Sequence, residues 1–136
     1  MDKKFWIAFV AIFVAGQILD FLIHGVLLTA TYAAQTPGVF RPMDQMNNGL
    51  LMVVGLIVSF FVTMIYTKGH EGKGISEGVR FGLFIGLITA TPMAYATYAT
   101  SPITYSLAMQ WFIYGMIKSI ILGILLSMLF GKKQTA

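Results

Sequence analysis

The sequence predicts an all-α membrane protein: one transmembrane domain over residues 1–136, built as a four-helix bundle with both termini in the cytoplasm. Three observations carry that prediction. The chain is 57% hydrophobic and only 10% charged, with a mean hydropathy of +0.80. A soluble domain carries about 25% charged residues, so this chain has too few to cover a water-facing surface, and lipid must be its outer solvent. Four apolar stretches, 5–29, 49–67, 79–98 and 105–130, each approach or exceed the roughly 20 residues that a crossing needs. The basic residues outside these stretches, finally, gather almost all on one side of them.

Each stretch reads as a helix, because backbone in hydrocarbon must satisfy its own hydrogen bonds and such continuous runs are not barrel strands. The first is longer than the apolar core of a secretory signal and lacks a clean small-x-small cleavage site, so it is expected to be retained. The linker after it, about residues 30–48, contains a Pro37-Gly38 turn. Pro42 and Asp44 suit a helix first turn, which would start the second helix ahead of the membrane. Between the second and third helices lies a charged, glycine-rich link, Lys68 to Gly74. Ser76 is the expected N-cap after it, with Glu77 favourable in the first turn. Pro92 is expected to kink the third helix near its far end.

Orientation follows from charge. Lys3, Lys4, Lys68, Lys73, Arg80, Lys132 and Lys133 lie on one side, and Arg41 alone on the other. The positive-inside rule makes the first side cytoplasmic. Phe5, Trp6 and Tyr66 then mark the inner interface, and Tyr95, Tyr98 and Tyr105 the outer one. The net charge of +4 sits at span ends rather than in a patch, which argues against a nucleic-acid partner. Without cysteine, disulfides and thiolate chemistry are excluded. No Ser-His-Asp spacing, HExxH or phosphate loop is present, so an enzyme is the less expected class.

Small residues recur every fourth position on three helices: Gly55, Ser59 and Thr63; Gly78, Gly82, Gly86, Ala90 and Ala94; Gly115, Ser119, Gly123 and Ser127. Membrane helices associate by close backbone packing, which small residues permit. The stripes either hold one bundle together or leave one face for a subunit interface, and a homodimer or a larger membrane complex is the corresponding partner expectation.

The chemically informative residues are ionisable groups inside spans. Gln17, Asp20 and His24 share one face of the first helix at spacings of three and four. Asp20 lies about 22 Å along the helix from Phe5, and Lys118 about 20 Å back from Gly131, so the two are at matched depth. Tyr114 and Gln110 extend the Lys118 face by four and eight residues. Charge in hydrocarbon is costly and faces a bundle interior. Asp20 and Lys118 are therefore either a structural ion pair fixing helix register or, with His24, a titrating site. A copper(I) site from Asp20, His24 and Met43, Met46, Met93 or Met109 is a further alternative; otherwise no cofactor is predicted. Glu77 and Arg80, three apart, are expected to form an ion pair at the inner interface; Arg80 there also suits a gate or a lipid headgroup.

Asp20-Phe-Leu-Ile-His24-Gly25, Tyr66-Thr-Lys-Gly69 and Glu77-Gly-Val-Arg80-Phe-Gly82 together resemble small four-span bacterial membrane proteins of unknown function. That resemblance implies the fold and a bacterial inner membrane, and no activity. In length the chain also resembles small multidrug transporters, whose first span carries a glutamate where this one has Asp20 with His24. The leading functional expectation is ion- or proton-coupled transport of a small solute at Asp20, His24 and Lys118, supported by Gln17, Gln110 and Tyr114. The alternatives are an accessory subunit of a membrane complex and a metal- or cofactor-binding protein.

Overall fold

The computed structural model describes residues 1–132; Lys133 of the basic side lies outside them. The structure is all-α, with four helices long and apolar enough to cross a membrane among the described residues: Lys3–Leu27, Asn48–Gly69, Ile75–Thr100 and Tyr105–Phe130. At 1.5 Å per residue each spans about 33–39 Å, more than the hydrocarbon core.

Helix α1 (Lys3–Leu22) starts on Asp2, whose carboxylate accepts from the Phe5 amide at 2.9 Å. It runs into a π-helical turn, Ile23–Leu27, closed by Leu28 N–H donating to Ile23 O at 2.9 Å, and then into the short α2 (Thr29–Ala33). Helix α3 (Asn48–Gly69) is capped by Asn47, which accepts from the Leu50 amide at 2.9 Å. Pro42 therefore does not open this helix; it precedes a separate 3-10 turn, Met43–Gln45. Helix α4 (Ile75–Thr91) follows Gly74 at φ +80°, a backbone only glycine adopts readily. The expected cap, Ser76, instead sits one residue inside α4 and donates to Lys73 O at 3.4 Å. At Pro92, which has no N–H to give, the chain widens into a π-helical turn, Pro92–Ala96, and continues as α5 (Thr97–Thr100). Helix α6 (Tyr105–Phe130) is capped by Thr104.

Backbone neighbours run in the order α3, α1, α6, α4, and the closest pair is α4 with α6. The reason is steric. A Cβ on Gly123 would strike the Gly78 carbonyl and come within 2.8 Å of the Gly82 nitrogen; one on Gly82 would lie 2.5 Å from the Ile120 Cα. A Cβ on Gly115 would come within 2.9 Å of Ala90. Two small-residue stripes thus lie face to face. The third is also used within the chain: a Cβ on Gly55 would clash with the Gln17 amide, and Ser59 and Thr63 are buried. The surplus of small faces that suggested a subunit interface is consumed inside a single protomer.

Two apolar cores form among the described residues. One, around Ile23, Leu28, Ala94, Leu107 and Trp111, lies toward the linker end, here called distal. The other, around Ala8, Ile12, Tyr66 and Leu126, lies toward the basic end. Asp20 and Lys118 fall between them along α1 and α6.

If α4 and α6 are held by backbone approach, Gly123→Ala should lower stability by about 1–3 kcal/mol, the range for overpacking. Gly69→Ala, where a Cβ meets nothing within 4 Å, should change it by under about 0.5 kcal/mol. Thermal unfolding in detergent compares the two; equal effects would sink the packing argument.

Candidate functional site

Antiparallel α1 and α6 bring their polar faces together over the distal half of the molecule. At its deepest point Lys118 Nζ donates to Asp20 Oδ1 at 2.6 Å. The side chains remain 27% and 39% exposed respectively, so the pair is neither sealed in a core nor free in bulk solvent. A short charge-assisted contact offsets much of what it costs each ion to leave water.

One turn further out, His24 sits in the π-helical turn, and its Nδ1 lies 2.6 Å from Tyr32 Oη. Trp111 Nε1 donates to the same oxygen at 2.8 Å. An indole N–H can only donate, so Tyr32 accepts from Trp111. We assign the phenolic proton to His24 Nδ1, which puts the histidine's own proton on Nε2. Burial pushes the Tyr32 phenol above its ordinary range, against the opposing effect of the Trp111 hydrogen bond, so it stays a neutral donor. His24 and Tyr32 are eight residues apart, which in a continuous α-helix places them about 80° off a common face. The wide turn and Leu28, at φ −99° and ψ 3°, break that regularity.

The polar contacts continue outward. Thr31 Oγ1 donates to Gln110 Oε1 at 2.7 Å. Gln35, buried, donates to Thr31 O at 2.8 Å and to Thr104 Oγ1 at 3.0 Å, and accepts from the Thr104 amide at 2.9 Å. Above them Phe40 packs edge-on to Tyr32 and Trp111, with centroids 5.4 and 5.9 Å apart. The linker therefore folds over the His24 end through Phe40.

Of the residues singled out in the sequence, Asp20, His24, Lys118 and Gln110 all join this column. Gln17 lies against Gly55 in the α1–α3 contact, and Tyr114 packs on the distal core. Tyr32, Trp111, Thr31, Gln35 and Thr104 are additions. Nothing in the sequence pairs Tyr32 with Trp111, which lie 79 positions apart. Among the described residues no three of His, Cys, Asp and Glu gather as a metal site. Met43, Met46, Met93 and Met109 are all exposed, while Tyr32 holds His24 at Nδ1.

At the basic end the expected Glu77–Arg80 pair is replaced by another arrangement. Glu77 is buried and accepts from the Glu71 and Lys73 amides at 2.7 and 2.8 Å, with His70 Nδ1 at 3.2 Å. Glycines let the link Lys68–Gly74 wrap the carboxylate, so it serves as the loop's anchor. Arg80 approaches Glu71 instead, at 3.8 Å, while Glu71 also pairs with Lys73. Lys73 beside it holds the Glu71 carboxyl below its usual range.

No protein-family model, curated protein or solved structure matches the chain; the functional reading rests on its own geometry.

Tyr32→Phe removes the proton given to His24 and leaves the Trp111 N–H without its acceptor. It should cost about 1–3 kcal/mol and shift Trp111 emission, read in a Trp6→Phe background; an unchanged spectrum and melting point would rule out the network. The effects of Asp20→Asn and Lys118→Gln taken singly should sum to more destabilisation than the double variant shows. A coupling of about 1–3 kcal/mol is expected, less than for a sealed pair because both groups keep some exposure, and a coupling near zero would dissolve the pair.

Proposed function

We propose that this protein is a small proton- or ion-coupled transport protein of a bacterial cytoplasmic membrane, with its basic end in the cytoplasm. The observation that supports the reading is the half-open Asp20–Lys118 pair, 2.6 Å long, at the inner limit of a polar column that rises through His24–Tyr32–Trp111 to Gln35 and Thr104. Toward the basic end the column gives way to the apolar core of Ala8, Ile12 and Leu126. Polar groups set in the distal core from one face toward mid-membrane, with only apolar packing beyond, suit a site that loads from one side and must change conformation to unload.

The chemistry is a competition for Asp20. While ionised, it holds Lys118 and so ties α1 to α6. A proton or a cationic solute group taken up by the carboxylate leaves Lys118 without its counter-charge, and the α1–α6 contact loses its polar tie. His24, with Nδ1 taken by Tyr32, offers Nε2 as the nearby exchangeable group. The one-sided distribution of basic residues supports the orientation.

A second reading, an accessory subunit of a larger membrane complex or a homodimer, has its own support. Along the distal half of α3, Leu50, Leu51, Met52, Val53, Val54, Leu56, Ile57 and Val58 are all exposed. That bare stretch offers area for another membrane helix. Crosslinking in native membranes separates the readings: a second polypeptide captured through α3 favours the subunit.

Purified protein in liposomes holding a pH-sensitive dye should collapse an imposed proton gradient, alone or with a co-substrate. Asp20→Asn should reduce that rate at least about tenfold, the scale of removing one essential ionisable group. Wild-type liposomes as tight as empty ones to protons and to small cations would refute transport.

A further inference from the structure

A separate cavity of about 160 Å³ opens between α3 and α4 at the basic end, away from the Asp20 column. Its walls include Ile65 and Tyr66 from α3 and Glu77, Arg80, Phe81 and Phe84 from α4. The two helices share few close backbone neighbours, so the gap is a feature of the packing. Tyr66 is 2% exposed, and its hydroxyl is buried with no hydrogen-bond partner among the described residues. A buried phenol normally finds a partner. The Glu77 carboxylate already receives the Glu71 and Lys73 amides and His70, so its charge is engaged by the loop.

Charge and depth define the occupant. Arg80 is exposed, and its acidic neighbour among the described residues, Glu71, is 3.8 Å away and shared with Lys73. Lys68 lies in the last turn of α3, next in sequence to the cavity-lining Gly69, and the Lys132 stem lies against Gly74. The cationic side chains Lys3, Lys4, Lys68, Lys73, Arg80 and Lys132 thus outnumber the carboxylates Asp2, Glu71 and Glu77 at this end, among the described residues. Arg80 is about 8 Å along α4 from Ile75 and Phe84 about 14 Å. The polar group therefore sits at headgroup depth and the rings at acyl depth. An apolar slot with a cation at its interfacial end matches an anionic amphiphile.

We propose that this cavity binds one anionic phospholipid of the leaflet at the basic end. Its phosphate lies on Arg80, a headgroup oxygen satisfies the Tyr66 hydroxyl, and an acyl chain runs along Phe81, Phe84 and Ile65. The site is independent of the transport reading: it uses neither Asp20 nor Lys118.

The test is native mass spectrometry of the full chain released from micelles containing equimolar phosphatidylglycerol and phosphatidylcholine. Wild type should retain phosphatidylglycerol over phosphatidylcholine by about fivefold, the effect of one basic residue beside an anionic group. Arg80→Gln should bring the ratio near one, and Arg80→Lys should restore most of it. Equal retention of both lipids by wild type, or an undiminished preference in Arg80→Gln, overturns the proposal. Displacement of the retained lipid by inorganic phosphate overturns it too, in favour of a soluble anion. Should Arg80→Gln fail to fold, Tyr66→Phe decides: weaker phosphatidylglycerol retention supports the site, and unchanged retention rejects it.

Discussion

Close backbone approach between α4 and α6 is the constraint on which the rest of the molecule depends. Lipid offers no hydrophobic gain for bringing two apolar helices together, so contact must come from van der Waals packing and hydrogen bonds. Gly78, Gly82 and Gly123 permit that contact where any side chain would strike backbone. With α4 fixed on one side of α6, the opposite side is free to receive α1. Helix α6 thereby becomes a shared wall, small toward α4 and, in its distal half, polar toward α1.

That division explains where the charged groups lie. Lys118 can reach Asp20 only because α6 presents its polar face to α1, and the two helices run antiparallel at matched depth. The polar layer separates two apolar cores that would otherwise merge. Such a layer specifies geometry at some expense of stability, since a sliding or rotated α1 would leave both ions unpaired in hydrocarbon. The Asp20–Lys118 pair in this layer stays half-open, and one turn further out His24 bonds Tyr32.

The π-helical turns redirect side chains at two places in the fold. One contains His24; the other begins at Pro92 and delivers Ala94 to the distal core. A widened turn inserts a residue into the helical repeat and re-aims the side chains beyond it. Here the first allows a tyrosine from the next helix to bond a histidine eight residues earlier. At the opposite end, glycines in the α3–α4 link perform a comparable service, letting backbone amides wrap Glu77.

Hydropathy and span length were enough to indicate the four membrane helices, because hydrocarbon leaves long apolar chain with no other backbone solution. Helical periodicity likewise put Asp20 and His24 on one face, and counting rise per residue matched Asp20 to Lys118. These are properties of single helices, which sequence encodes locally. What pairs with what across helices was decided only in three dimensions. Glu77 turned from Arg80 to the loop amides because burial made several backbone donors better partners than one exposed guanidinium. Tyr32 and Trp111 met because a wide turn and a folded linker redirected them, which no spacing rule contains. The small-residue stripes were visible as stripes, but their mutual engagement depended on which faces α4 and α6 turned toward each other, a choice made by packing the whole chain at once.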